Sequence, residues 1–300
     1  MSERDITTTM RVLRPHPKVY AFYDGRIEGN RLYSADANWI DDGGYELGVA
    51  AFAVVDGDEA LIYDTHLSIG HALRMRRFVE SLGAIRLRVV LSHWHLDHVA
   101  GNEAFSDVEM IANRRTLHHL QEHADAIESG TSSGPPAISP LVLPGTLFDD
   151  ELRLEVGGLR MELRHVNIHS DDATVMFLPG LGLLFAGDTL EDTVTYVDEP
   201  AHFAQHLADL ERMRRLEIAR ILPNHGDPDV IAAGGYEPSL IGATERYIRD
   251  LIRSETDPGL RSHNLRAFIA GQLAEGSMTY FAPYEAVHRQ NVERAAEALG

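Results

Sequence analysis

A cluster of histidines and one aspartate lies in the run His93-Trp94-His95-Leu96-Asp97-His98. Side chains this close along the chain can be brought together with little loop-closure entropy. His93 and His95 alternate and can point at one ion, while Asp97 and His98, one turn further on, can point at a second. Because imidazole nitrogen and carboxylate oxygen suit zinc, and also iron or manganese, the run predicts a metal site.

Four apolar, strand-like runs of the chain end in an acid or a histidine, at Asp64, His93, Asp188 and His225. Burying such a group costs several kcal/mol unless it is paired or coordinated. If the four strands point the same way, their polar ends gather at one sheet edge. A shared cation would offset the cost of burial at all four places.

The composition narrows the chemistry of this site and the class of partner. The 300 residues contain no cysteine, so a metal ion must be held by imidazole and carboxylate rather than thiolate. The formal net charge of -19 repels a phosphate backbone, which excludes nonspecific nucleic-acid binding. We therefore expect a small-molecule substrate, and a homo-oligomer is left open.

The N-terminal residues 1–14 are polar and show no apolar run that could serve as a signal peptide or a membrane span. We expect a cytoplasmic protein without a membrane partner. With 44% hydrophobic residues, the chain can form one large domain or two small ones.

Apolar periodicity predicts strands first, then a helix, strands and a helix again. This order suggests two packed sheets with helices outside, an α+β fold. Residues 1–236 are predicted to form the catalytic domain, and 237–300 a helical extension or cap packed on it. The predicted strands are 19–23, 47–55, 61–63, 87–91, 108–112 and several within 146–187, followed by 219–222, and the predicted helices include 69–82, 114–128 and 201–216.

With these motifs in place, the chain resembles the metallo-β-lactamase superfamily over roughly residues 64–225. The resemblance implies a four-layer αββα sandwich with a metal site between the sheet edges. It implies that Asp188 bridges two metals and that Asp64 orients the ligands without binding a metal itself. One metal would be held by His93, His95 and His169, and the other by Asp97, His98 and His225.

Two positions bear on the subtype within this family. Members that cleave β-lactams generally place cysteine or serine where this chain has Asp188, which points away from a dedicated β-lactamase. Lactonase relatives often carry a tyrosine three residues after the bridging acid, where this chain has Glu191. Aromatic residues that could line the substrate pocket are Tyr196, Tyr280, Phe281 and Tyr284.

The resemblance implies a hydrolase in which two divalent ions, with zinc expected and iron or manganese as alternatives, produce a bridging hydroxide. Asp97 would carry a proton to the leaving group. The expected substrate is a small-molecule ester, lactone, thioester or amide.

Three other functions are compatible with the sequence. A phosphodiesterase of the same superfamily is one. A mononuclear iron oxygenase acting on persulfides, with iron bound by His93, His169 and Asp188, is another. The third is a non-catalytic metal-binding protein. The remaining helical histidines, such as His119, His123 and His206, are expected on solvated helix faces.

Overall fold

The computed structural model describes residues 5–299. Within these residues the strands form two sheets, one of seven strands and one of five. The prediction of an α+β fold with two sheets is confirmed.

The larger sheet follows chain order, with an antiparallel half and a parallel half. Neighbours pair antiparallel from β1 to β4 and parallel from β4 to β7. Its strands are β1 (Arg11–His16), β2 (Val19–Asp24), β3 (Val49–Asp56), β4 (Glu59–Tyr63), β5 (Arg86–Val90), β6 (Glu109–Asn113) and β7 (Thr146–Phe148).

The smaller sheet has the spatial order β12-β11-β10-β9-β8. Its strands pair antiparallel except for β11 and β12, which pair parallel. Its strands are β8 (Glu151–Val156), β9 (Leu159–His165), β10 (Thr174–Leu178), β11 (Leu183–Gly187) and β12 (Arg220–Pro223).

The helices lie between and after these strands. Ser68 caps the first helix, because its side chain accepts a hydrogen bond from the backbone of His71. The helices are α1 (Ile69–Ser81), α2 (Leu96–Val99), α3 (Arg114–Glu122), α4 (Ala124–Ser129), α5 (Phe203–Arg214), α6 (Pro228–Ala232), α7 (Ser239–Ser254), α8 (Pro258–Arg261), α9 (Leu265–Phe268), α10 (Ala270–Glu275) and α11 (Tyr284–Leu299).

The core consists of two main layers. One lies between the sheets, where alternate residues of β3 and β4, such as Phe52 and Tyr63, meet Phe185 of β11. The other packs α1 and α2 on the outer face of the larger sheet, with Ile62 and Met75 among its members. This alternation along single strands explains why both faces of the larger sheet are apolar.

The C-terminal helices contribute to the same core as the sheets. Tyr247 of α7 and Tyr284 of α11 are fully buried in the layer that contains the smaller sheet. None of the helices within residues 5–299 has the length and apolar character that crossing a membrane requires.

Three elements differ from the sequence prediction. The predicted helix 114–128 is two helices that meet at His123, where the backbone leaves the helical region. The strand β1 was not predicted, because none of its residues is buried and its sequence does not alternate between apolar and polar residues. A π-helical turn at Ile40–Tyr45 was also missed, since no periodicity marks a six-residue turn.

Candidate metal centre

Two pairs of parallel strands bring the polar strand ends together. Asp64 and His93 follow β4 and β5 in the larger sheet, and Asp188 and His225 follow β11 and β12 in the smaller one. The sequence pattern placed all four at one sheet edge. They lie instead at two facing edges, one from each sheet, so that the centre forms where the two sheets meet.

Four of the candidate ligands form one group. One ligand atom from each lies within 4.8 Å of the others, and the group comprises His93, His95, His169 and Asp188. Nδ1 of His95 and Nε2 of His169 are 3.0 Å apart. Two ring nitrogens this close can both direct lone pairs at one cation.

A second group lies beside the first and comprises Asp97, His98 and His225. The Oδ2 atom of Asp97 is 3.5 Å from Nε2 of His98 and 3.3 Å from Nε2 of His225. The structure therefore brings together all seven residues assigned as metal ligands, in the two sets expected.

One oxygen of Asp188 lies between these two groups. Its Oδ2 atom is 3.2 Å from Nε2 of both His98 and His225. The same atom is 3.6 Å from Nε2 of His93 and 3.7 Å from Nε2 of His169. A carboxylate in this position can contact an ion in either group.

Asp64 holds the centre together from behind. It is fully buried, and its carboxylate accepts hydrogen bonds from Ser92 N and Oγ at 2.6 Å and from Asn224 Nδ2 at 2.5 Å. It also bonds Nδ1 of His98 at 3.1 Å, while Nε2 of that ring faces Asp188. Asp64 thus fixes the ring orientation of His98 and joins the ends of three strands.

In two other imidazoles, too, Nδ1 is hydrogen-bonded to the protein and Nε2 faces the centre. Nδ1 of His225 donates to the backbone oxygen of Gly48 at 2.6 Å. Nδ1 of His93 bonds Ser92 Oγ at 2.9 Å. Because one nitrogen of each ring is engaged by the protein, the Nε2 atom is left for the centre.

His169 lies in a strained loop anchored on both sides. Its φ of 72° is in the left-handed region, which costs on the order of 1–3 kcal/mol for a residue with a side chain. Its backbone oxygen accepts from Asp198 N at 2.9 Å. On the far side of the loop, His119 of α3 bonds Asp171 at 2.6 Å. Asp64, with φ of 67°, shows the same strain.

The pKa shifts of the histidines in the centre are those expected of a site that binds a cation. Burial holds the pKa of His93 well below its usual range and lowers that of His169 to about 3. Burial acts in the same direction on His98 and His225, yet the nearby Asp188 raises the pKa of both well above the usual range. Protons on these two rings would neutralise the carboxylates, a task that a divalent ion performs when bound.

Unpaired atoms test whether a metal fits. The buried atoms His93 Nε2 and Asp188 Oδ1 have no hydrogen-bond partner among the described residues. Buried polar atoms are rarely left unpaired, and here two of them belong to one cluster of nitrogen and oxygen donors. The donor set fits divalent ions that accept imidazole and carboxylate, such as zinc.

A cavity of about 710 Å³ opens over the centre. Asp97, Asp188 and His225 lie in its wall. Other parts of the wall come from residues around the π-helical turn such as Trp39 and Glu46, from the loop 132–134, and from the start of α11. Such a size suits a small molecule.

The predicted pocket aromatics divide into two sets. Tyr196 lines the cavity, with its ring 5.9 Å from that of His169. Tyr280, Phe281 and Tyr284 are not among its lining residues. Tyr280 and Phe281 stack with arginine side chains, and Tyr284 is buried with its hydroxyl 2.5 Å from Glu191.

Other residues near the site were not singled out from the sequence. Trp39, Trp94 and Glu46 line the cavity, and Asn224 holds Asp64. The position of Asn224, one residue before the strand-end histidine, could have indicated that it lies near the site. No local pattern in the sequence marks Glu46 as a residue of the cavity wall.

Three expected surface histidines are also placed differently. His206 is fully buried and bonds Asn167 at 3.0 Å. His119 and His123 both stack on the ring of Trp94. The expectation of solvated helix faces is wrong for His206, because α5 packs that side chain inward.

Comparisons with known proteins agree with this geometry. A 25% identical stretch of 138 residues, 46% of this chain, matches the Beta-lactamase-like protein 2 homolog of Caenorhabditis elegans. An alignment over 182 residues that covers 47% of this chain, at 22% identity, matches the linear primary-alkylsulfatase of Pseudomonas sp. (strain ATCC 19151). The matches span only 41% and 34% of those two proteins.

Solved structures show the same fold. The metallo-β-lactamase from Pontibacter korlensis superposes with a TM-score of 0.55 at 17% identity, covering 78% of this chain and 99% of that one. The DIM-1 metallo-β-lactamase superposes with a TM-score of 0.55 at 20% identity, covering 80% and 97%. The sequence model of one family matches residues 44–225, more than half of the chain. The chain therefore belongs to the metallo-β-lactamase superfamily.

Proposed function

We propose that this protein is a binuclear metallohydrolase that cleaves an ester, lactone, thioester or amide bond of a small molecule. The observation that carries the proposal is the position of Asp188 Oδ2, within 3.7 Å of four imidazoles from both ligand groups. Members of the superfamily are mostly metallohydrolases, and this chain keeps a full donor set for two ions.

The metal ions would supply a water ionised near neutral pH and a Lewis acid for a substrate carbonyl. The residues of the chain do the rest. His93, His95 and His169 would hold one ion, and Asp97, His98 and His225 the other, with Asp188 shared. Zinc is the ion we propose, because imidazole nitrogen and carboxylate oxygen are among its usual ligands, with iron and manganese as the alternatives that the same donors accept.

Asp97 is placed to handle the proton of the reaction. Its side chain is 19% exposed, whereas that of Asp188 is 4% exposed. It lines the cavity and lies at its metal end. We propose that it transfers a proton to the leaving group.

The complete second group favours two metals over the one-metal alternative. A single iron bound by His93, His169 and Asp188 would leave Asp97, His98 and His225 without a role. Those three side chains converge on the same oxygen of Asp188 or on one another. Oxygen consumption with one iron per chain would support the persulfide oxygenase instead.

The test is turnover before and after metal removal. The protein is stripped with a chelator, reloaded with zinc, manganese or iron, and assayed on an ester, a lactone, a thioester, a β-lactam and bis(p-nitrophenyl) phosphate. We expect hydrolysis of a carbonyl substrate only in the reloaded protein. His93→Ala should abolish it, whereas His118→Ala, a highly exposed histidine outside the centre, should not. Full activity in the stripped protein would contradict the proposal.

A further inference from the structure

The charged residues in the wall of the cavity are all acidic. Besides the ligands Asp97 and Asp188, the wall contains Asp42, Glu46, Glu191 and Asp198. Among the described residues that line the cavity, no lysine or arginine is present. A substrate that carries a carboxylate, phosphate or sulfate would find no cationic side chain there to pair with.

Three of these four acids are already paired or hydrogen-bonded. Asp42 pairs with Arg31, and Asp198 with Arg294 at 2.7 Å. Glu191 is buried and accepts hydrogen bonds on both carboxyl oxygens, from the Tyr284 hydroxyl at 2.5 Å and from Tyr196 N at 3.3 Å. Each pairing arginine points its charge at its own carboxylate and lies outside the cavity wall.

Glu46 is the exception. Among the described residues it has no ion-pair or hydrogen-bond partner for its side chain, and it is an exposed residue of the cavity wall. Gly48, two residues on, accepts a hydrogen bond from Nδ1 of His225, which ties this segment to the centre. An unpaired carboxylate therefore lies in the wall of the cavity that opens over the centre.

Aromatic rings complete the wall. Trp39, Trp94 and Tyr196 line the same cavity. Trp39 is held in place because its indole nitrogen donates to the backbone oxygen of Pro136 at 3.0 Å. Aromatic faces attract cations and alkyl groups and repel anions. The protein's net charge of -19 acts in the same direction on approaching ligands.

We infer that the cavity selects acyl substrates whose remote part is cationic or uncharged and discriminates against those whose remote part is anionic, with Glu46 as the main specificity determinant. This inference rests on the proposed function. The ions attract the reacting carbonyl, and the wall acts on the part of the substrate that lies beyond it.

Binding of three matched hydroxamic acids tests the inference without requiring turnover. Their tails have nearly the same length and end in a trimethylammonium, a tert-butyl or a carboxylate group: 4-(trimethylammonio)butanohydroxamic, 5,5-dimethylhexanohydroxamic and glutaric monohydroxamic acid. Affinity for the zinc-loaded protein is measured by calorimetry at pH 8. We expect the cationic tail to bind about tenfold more tightly than the anionic one, with the neutral tail between them.

Glu46→Lys should reverse this order. Glu46→Gln, which keeps the shape of the side chain, should reduce the ratio of the cationic to the anionic affinity and tests the same point if lysine disturbs the turn. Glu217→Lys is the matched control, because it makes the same change in net charge at an exposed position beside the start of β12, at the end opposite the metal centre. It should leave the order unchanged. Equal affinities in the wild type, tighter binding of the anionic tail, or no binding of any of the three would overturn the inference.

The p-nitrophenyl esters of the same three acids separate this inference from the proposed function. If the hydroxamates bind in the expected order and no ester is hydrolysed, the proposed function fails for esters and the charge selectivity stands. If the esters are hydrolysed with the anionic one preferred, the hydrolase stands and the selectivity fails.

Discussion

Asp64 Oδ2 accepts a hydrogen bond from Nδ1 of His98 at 3.1 Å, and this contact leaves Nε2 of the ring facing the centre. The carboxylate cannot turn away, because it also accepts from Ser92 and Asn224. A buried residue that binds no metal thereby determines how a ligand is presented.

Asp64→Asn should weaken metal binding about 10–100-fold. The amide has nearly the same shape, but it cannot accept all of the hydrogen bonds that the carboxylate accepts. Competition with a chromogenic chelator measures the affinity. Asp58→Asn, an exposed acid that pairs with Arg86 at the surface, is the control. An unchanged affinity in Asp64→Asn would show that His98 is oriented by other contacts.

Gly101 packs the segment after the histidine run against the loop that carries Asp64. A Cβ at this position would collide with the backbone oxygen of Thr65 and with Ala72. Gly101→Ala should destabilise the fold by about 2–3 kcal/mol in urea unfolding. Gly180→Ala, where a Cβ meets nothing within 4 Å, should change stability by less than about 0.5 kcal/mol. Equal stabilities would contradict the close packing.

The run from His93 to His98 was predictable, because its chemistry and spacing are both local. Asp188 and His225 could be found because each follows an apolar strand. The wall of the cavity could not be predicted from the sequence, because Glu46 and Trp39 reach it through an irregular turn. The position of that turn depends on contacts with distant parts of the chain. Tyr280 and Phe281 illustrate the same limit, because their directions are set by tertiary contacts with arginines.

His119 should stabilise the fold more in acid than in base. The hydrogen bond with Asp171 raises the pKa of His119 above its usual 6.5. The folded state therefore binds the proton more tightly, so this stabilisation is complete below the unfolded pKa and is lost as pH rises through the folded pKa. The difference in unfolding free energy between wild type and His119→Ala should be larger at pH 5.5 than at pH 9. A difference that does not change with pH would contradict the ion pair.

Asn291 connects α11 to the loop that follows Asp188. Its side chain accepts from Val197 N and donates to Thr195 O, both at 2.8 Å, and it is fully buried. Asn291→Ala would leave a buried backbone donor unpaired, so thermal unfolding should show a loss of about 2 kcal/mol. Arg289→Ala, exposed on the same helix, should be nearly neutral. If Asn291→Ala were as stable as Arg289→Ala, the contact between the C-terminal helix and the loop would not contribute to stability.

The most direct test of a binuclear centre is metal content combined with anomalous diffraction at the zinc edge. We predict two ions per chain, one within about 2.0–2.2 Å of nitrogen atoms of His93, His95 and His169, and the other near Asp97, His98 and His225. Asp188 should contact both, and Asp188→Ala should lose at least one ion. A single ion per chain at saturating zinc, or two ions with Asp188 bound to neither, would contradict the account.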